Sequence, residues 1–297
     1  MVLRSLLFAP GNVSRRVEKA LHLNADAVIL DLEDAVPLTE KRLTRELIAA
    51  ALNQPRNSRC YVRVNALSTG LTIDDLTAVV SPQLDGIILP KAEEAEDLSK
   101  VDWYLSYLED KRSLPIGSID LIPLVENAKG IRNAYIIATA VQRVKRLCFG
   151  AIDYTADINV QLSVAKMEIL YARSSLVNAS AAAALESPID TVYPNIRDID
   201  GLRADTIIAR GLGFQGKLVI HPDQIEPVNE IFSPSEEEIT YAERVVAAFE
   251  QAEAAGHAAI TLDDGKFIDY PVVRNAQRLL AVAAAIRKIR CKATEIT

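Results

Sequence analysis

The chain has 297 residues, 49% hydrophobic and 25% charged, the balance of an ordinary soluble globular protein and not of a disordered, collagenous or coiled-coil chain. Its 40 acidic and 33 basic side chains leave a net charge of −7, without the basic excess of a nucleic-acid binder. The longest unbroken apolar run, Leu279 to Ile286, is far short of the ~20 residues a spanning helix needs, and Leu6 to Pro10 is too short for a secretion signal, so a cytoplasmic protein with neither membrane nor nucleic-acid partners is expected.

Short β-rich apolar runs alternate with amphipathic helical stretches. The runs are Arg4–Ala9, Ala27–Leu32, Cys60–Asn65, Gly86–Pro90, Leu121–Val125, Arg146–Gly150, Thr191–Pro194 and Leu218–His221. Helical patterns fall between them at Ser14–Asn24, Glu40–Leu52, Ala92–Glu109, Ile131–Val141, Val160–Ala184 and Gly201–Leu212. The runs are largely continuous rather than alternating, which suits parallel strands covered on both faces. Eight such units fit a (β/α)8 TIM barrel, an α/β fold, over residues 1–232. The rival, a doubly wound dinucleotide-binding sheet, wants a G-x-G-x-x-G, whereas the first loop is Pro10-Gly11-Asn12; there is no Walker A pattern either.

Residues 233–297 read as a C-terminal helical extension, a tail or lid. Ser233–Glu238 looks like a helix cap with an acidic first turn. The helix runs to about Ala255, Ala259–Tyr270 reads as a hairpin turning at Asp264–Gly265, and Pro271 opens a last helix ending near Ile289.

In a barrel, the carboxyl ends of the strands carry the chemistry. Here they hold Asp31-Leu32-Glu33-Asp34, Arg63 and Asn65, Lys91, Glu126, Asp153, Asn195 and Arg197, and His221 and Asp223. The three cysteines (Cys60, Cys148, Cys291) and three histidines (His22, His221, His257) are too scattered for a disulfide framework or a zinc site, so a bound metal falls to carboxylates and to a hard ion such as Mg²⁺. Glu126 and Asp153 each follow an apolar run on neighbouring strands, and two such carboxylates can share one Mg²⁺ while leaving positions for water and substrate. The competing reading is a pair of helix caps, natural for Asp153 and poor for Glu126. Arg63 offers a planar fork to a carboxylate ligand, or pairs with Glu33 or Asp34. Lys91 is either a charge-pairing residue at the barrel mouth or a Schiff-base lysine. His221 is a structural hydrogen-bonder or a substrate contact.

The blocks RSLLFAPGN (4–12), AVILDLEDAVP (27–37), VRVNA (62–66), ILPKAE (88–93), PLVENAKGI (123–131), FGAIDYTADI (149–158), GKLVIHPDQI (216–225) and IDYPVVRNAQ (268–277) together resemble the citrate lyase β-subunit-like family, acyl-CoA lyases that include citramalyl-CoA and malyl-CoA lyases. The resemblance covers essentially the whole chain. It implies a metal-dependent TIM barrel, working as a homotrimer or dimer of trimers, with Mg²⁺ (or Mn²⁺) on Glu126 and Asp153. It implies that Arg63 contacts substrate oxygens, that Glu33 and Asp34 lie near metal-bound water, and that Asp269 handles a proton in a neighbouring subunit's site. Arg16 and Lys19 stand where the family contacts the CoA or carrier portion. Three positions depart from the pattern: Ile152 where many members have an acid, Asn195 where Asp is frequent, and Asn159 where Gly is common.

The reaction so implied cleaves a 3-hydroxyacyl-CoA thioester, of citramalyl-, malyl- or citryl-CoA type, to acetyl-CoA and a 2-keto acid. The metal and Arg63 stabilise the carbinol oxygen and Asp269 protonates the thioester enolate. Two alternatives stay open. One is a citryl carrier-protein lyase subunit of a citrate lyase complex. The other is a non-catalytic keto-acid binder, against which the retained Glu126, Asp153, Arg63 and Asp269 argue.

Overall fold

The computed structural model describes residues 2–294. In chain order the elements are β1 (Ser5–Pro10), α1 (Ser14–Leu21), β2 (Ala27–Asp31), α2 (Lys41–Leu52), β3 (Arg59–Arg63), α3 (Thr72–Val79), β4 (Gly86–Leu89), α4 (Ala95–Lys111), β5 (Asp120–Val125), α5 (Ala128–Arg132), α6 (Ala134–Ala138), β6 (Cys148–Phe149), α7 (Ala151–Asp157), α8 (Leu170–Ala182), β7 (Ile189–Asp190), α9 (Ile199–Leu212), β8 (Gly216–Val219), α10 (Ile225–Phe232), α11 (Glu236–Ala254), β9 (Ala259–Thr261), β10 (Phe267–Asp269) and α12 (Tyr270–Thr294). Strands β1 to β8 pair in sequence order, all parallel, and β8 returns to β1 with Ser5, Leu6 and Leu7 opposite Lys217, Leu218 and Val219. The sheet is therefore a closed eight-stranded barrel, as expected. Among the described residues no helix is long and apolar enough to cross a membrane.

Alternate side chains of each strand fill the barrel interior. Leu6, Ala27, Ile29, Tyr61, Ile88, Ile122, Leu124, Cys148, Ile189 and Leu218 form that core. The residues between them, such as Val28, Leu30, Val62 and Ile87, are equally buried, which is why the strands read as continuous apolar runs. The barrel floor is polar and closed. The Tyr61 hydroxyl donates to Asp120 at 3.1 Å, and Arg146, fully buried, bridges Asp120 (2.8 Å) and Glu186 (2.5 Å). Gly86 makes room for the Tyr61 ring, since a Cβ there would lie 2.5 Å from its Cε1.

Several elements differ from the sequence reading. The seventh strand is Ile189–Asp190, not Thr191–Pro194. Its Asp190 is buried among Lys217 (2.5 Å) and Arg173 (2.8 Å), so the strand carries a charge that an apolar-run criterion rejects. The stretch Ile131–Val141 is two short helices, α5 and α6, and Val160–Ala184 is helical only from the 3₁₀ turn at Met167–Ile169 through α8. Three further helices, α3, α7 and α10, are each eight residues or fewer. Asn159 takes a φ of 57°, the left-handed region glycine prefers and asparagine tolerates, which accounts for Asn where the family commonly has Gly.

The chain divides into two compact units, Leu3–Glu230 and the remainder from Ile231 onward with Val2. In the second, Ser235 and Glu238 form a reciprocal capping box on α11. The hairpin β9–β10 pairs Ile260 with Ile268 and turns through Gly265 at φ 79°. Val245, Phe249, Ile268 and Val273 make this unit's own core.

Arg146→Met leaves Asp120 and Glu186 without their shared cation while keeping the volume filled. We expect a loss of about 3 kcal/mol in urea unfolding; a loss below about 1 kcal/mol would show that the floor does not depend on this charge.

Candidate active site

The period of two carries three inward columns to the mouth of the barrel. Ile29 is followed by Asp31, Tyr61 by Arg63, and Leu124 by Glu126, so each column ends in a charged side chain. Asp31 and Arg63 are opposite each other in the β2–β3 register. Arg63 Nε donates to Asp31 Oδ1 at 2.7 Å and Nη2 to Oδ2 at 2.6 Å, a bidentate fork, while Nη1 stands 2.8 Å from Glu33 Oε2. The guanidinium carbon lies 4.8 Å from the centre of the Phe8 ring. Asp31 also accepts from the backbone N–H groups of Glu33 (2.9 Å) and Ala35 (3.3 Å). One buried carboxylate thus orients both the arginine and the loop that carries Glu33.

Lys91 breaks the alternation. By parity with Ile88 it would face the helices, but its φ of 52° turns the chain. Its backbone N–H donates to Glu126 Oε1 at 2.8 Å, and its ammonium lies 2.5 Å from Asp153 Oδ1, 3.4 Å from Glu126 Oε1 and 3.9 Å from Glu33 Oε1. Three carboxylates therefore converge on one point. Neither metal candidate is a helix cap: Asn127 caps α5 through Gly130 N, and Asp153 stands in the first turn of α7 behind Gly150. Gly150 is required by Glu126, because a Cβ there would sit 2.7 Å from Glu126 Oε2.

Charge at this mouth is unbalanced. Asp31, Glu33, Glu126 and Asp153 face Arg63 and Lys91, two positive charges short. Burial, only partly offset by Arg63 and reinforced by Glu126, pushes Glu33 up to about 7. Burial, opposed by Lys91 and reinforced by Asp153, likewise pushes Glu126 up to about 7. Burial would lower the Lys91 ammonium, but Glu126, the Asp153 hydrogen bond and Glu33 outweigh it and hold Lys91 above its ordinary value. Glu33 Oε2 is buried and, although close to Arg63, is not aligned to accept a hydrogen bond. Hard oxygen donors, a deficit of two charges and an underused carboxylate oxygen all fit a divalent cation on Glu126 and Asp153. Two carboxylates would supply only part of such an ion's oxygen shell, leaving positions for water and substrate.

Of the residues expected from sequence, Arg63, Glu33, Glu126 and Asp153 come together, and Lys91 joins them. Asp34 lies next to Glu33 but is exposed. Arg16 and Lys19 are exposed on α1, in the segment that follows the C-terminal end of β1. Asp269 ends β10 in the second unit, where its Oδ1 accepts from Val272 N at 3.2 Å, an N-cap bond at the start of α12. His221 accepts from Asp223 N at 3.3 Å, a local turn contact, and Asn195 and Arg197 are exposed. The sequence reading missed Asp31 as the partner of Arg63; the period-two parity of AVILD and CYVR was the available signal.

Both raised carboxyls hold a proton more firmly folded than unfolded. That contribution to stability is full below the unfolded value of 4.5 and is lost as pH rises through about 7. A divalent cation held there would take the protons' place. The rise in melting temperature caused by MgCl2 in place of EDTA is therefore expected to grow from pH ~5 to ~8; a rise that does not vary with pH would separate these carboxyls from the cation.

Comparison with known proteins agrees with this geometry. Residues 4–222 match the HpcH/HpaI aldolase/citrate lyase family. The chain is 37% identical to the citrate lyase subunit beta of Leuconostoc mesenteroides subsp. cremoris, over 95% of this chain and 93% of that protein. It is 34% identical to human mitochondrial citramalyl-CoA lyase, over 96% and 86%. A crystal structure of CitE from Mycobacterium tuberculosis in complex with magnesium, acetoacetate and coenzyme A superposes with a TM-score of 0.75 at 29% identity, covering 95% of this chain and 98% of that one. With a closed parallel barrel and a carboxylate-rich mouth built from the matched segment, the chain belongs to the HpcH/HpaI aldolase/citrate lyase family.

Proposed function

We propose that this protein is a Mg²⁺-dependent carbon–carbon lyase that cleaves a 3-hydroxyacyl-CoA thioester, with a carboxylate on the carbinol carbon, to acetyl-CoA and a 2-keto acid. The convergence of Glu126, Asp153 and Glu33 beside the clamped Arg63 carries this reading. The cation on Glu126 and Asp153 supplies Lewis-acid charge for the carbinol oxygen. Arg63, with Nε and one N–H of Nη2 committed to Asp31, keeps further N–H groups on Nη1 and Nη2 for the substrate carboxylate or the forming keto oxygen. Glu33, with a proton affinity near neutrality, is matched to taking the carbinol proton. The C–C bonding pair then leaves on the thioester α-carbon as an enolate. Lys91, held as a charged ammonium, is no amine nucleophile, which disfavours a Schiff-base route.

Asp269 protonates that enolate in the site of a neighbouring copy, within a homotrimer or dimer of trimers. Arg16 and Lys19 meet the anionic CoA portion, and the protein works in the cytoplasm. Relatives named citrate lyase subunit beta, citramalyl-CoA lyase and (3S)-malyl-CoA thioesterase lie at 37%, 34% and 36% identity, so the acyl group is the open choice.

Purified chain with MgCl2 should form a 2-keto acid from at least one of citramalyl-, malyl- and citryl-CoA. Glu126→Ala and Asp153→Ala should each lower that rate by at least about 100-fold with unchanged circular dichroism. Free CoA appearing without keto acid would instead mark thioester hydrolysis, and turnover confined to a carrier-bound citryl group would mark a citrate lyase subunit.

Mixing inactive Asp269→Asn chains with inactive Glu126→Ala chains should restore partial activity, because mixed oligomers contain some intact composite sites. No recovery, with subunit exchange shown by mass spectrometry, would place Asp269 in its own chain's site or outside catalysis.

A further inference from the structure

Lys41 is a cation in an unfavourable place. It is the first residue of α2, where the helix dipole disfavours positive charge, and it is 8% exposed, so its ammonium has lost most of its water. Its Nζ donates to the carbonyl oxygens of Leu32 at 2.5 Å and Glu33 at 2.7 Å. The carboxylates around it are Asp31, Asp75, Glu33 and Asp34. None of these makes the position necessary for a helix start: the preceding 3₁₀ turn at Leu38–Glu40 already leads into α2.

The placement has a consequence at the mouth. The β2–β3 ladder ends with Leu32 N donating to Arg63 O at 2.9 Å. Beyond it, the peptide that carries Glu33 is gripped on two sides. Asp31 accepts its N–H groups, from Glu33 and Ala35, while Lys41 donates to its carbonyls, from Leu32 and Glu33. Glu33 O also closes a turn with Val36 N at 3.0 Å.

We propose that Lys41 is a positioning residue that fixes the Glu33 carboxylate against Arg63 and Lys91 by holding the Leu32 and Glu33 carbonyls from behind. This rests on Glu33 belonging to the lyase site. Lys41 touches no reacting atom; it acts through Glu33, in the manner of a supporting hydrogen bond that keeps a catalytic side chain within a fraction of an ångström of its working position.

Two measurements test it, one of them independent of activity. Lys41→Met should speed amide hydrogen exchange across residues 32–36 while the rest of α2 keeps its protection. It should lower kcat about 10- to 100-fold with KM for the thioester within about two-fold. Glu33→Gln alone and Glu33→Gln with Lys41→Met should be equally slow, because the lysine has nothing left to position. If Lys41→Met does not fold, Lys41→Gln, which can still donate to one carbonyl, takes its place with a smaller effect in the same directions. Unchanged exchange across 32–36, or kinetic losses that multiply in the double variant, would overturn the proposal. A wild-type chain inactive on every thioester would defeat the functional reading alone, and the exchange measurement would still decide the role of Lys41.

Discussion

Closing eight parallel strands on themselves leaves an interior just wide enough for side chains to fill, and each strand must present every second residue to it. That interior accepts apolar side chains along most of its length, so charge is pushed to the two ends. At the floor, Arg146 bridges Asp120 and Glu186. At the mouth, the same alternation delivers Asp31 and Arg63 from the neighbouring strands β2 and β3 and Glu126 from the end of β5, with Glu33 arriving from the loop after β2 and Asp153 from the first turn of α7. The site is thus a consequence of strand parity and strand length as much as of the residues themselves.

Where the fold needs buried charge only for architecture, it satisfies it. Asp190 and Asp205, between β7, β8, α8 and α9, are each met by both Arg173 and Lys217. The mouth is built differently. Its acids outnumber its bases, and the excess shows as carboxyls that hold protons up to about pH 7. Leaving a buried cluster undercharged costs stability unless a cation completes it. Such an imbalance fits an exogenous divalent ion, which would supply the missing positive charge.

Much of this was legible beforehand. Continuous apolar runs separated by amphipathic stretches announced buried parallel strands, and eight of them announced a barrel. Glu126 and Asp153 stood out because each follows a run with no other polar group. The capping box at Ser235 and Glu238 and the Asp264–Gly265 hairpin were written in local chemistry that needs no tertiary context. The seventh strand was misplaced because Asp190 is made tolerable inside the sheet by Lys217 and Arg173, residues 27 and 17 positions away. No local pattern can show that compensation.

The amino-acid sequence by itself determined the number and order of the strands, the carboxylates at their ends and the family to which the chain belongs, because these depend on residue type and spacing along one strand or turn. Only the tertiary structure decided which of the acids act together. Asp31 is bound to Arg63 through the register between two strands. Lys91 reaches Asp153 because a single left-handed residue reverses the parity of its loop. Glu126 keeps its place because Gly150, on the next strand's loop, lacks a side chain. Each of these is a contact between segments far apart in the chain, fixed by barrel closure and close packing, and so invisible until the strands are laid side by side.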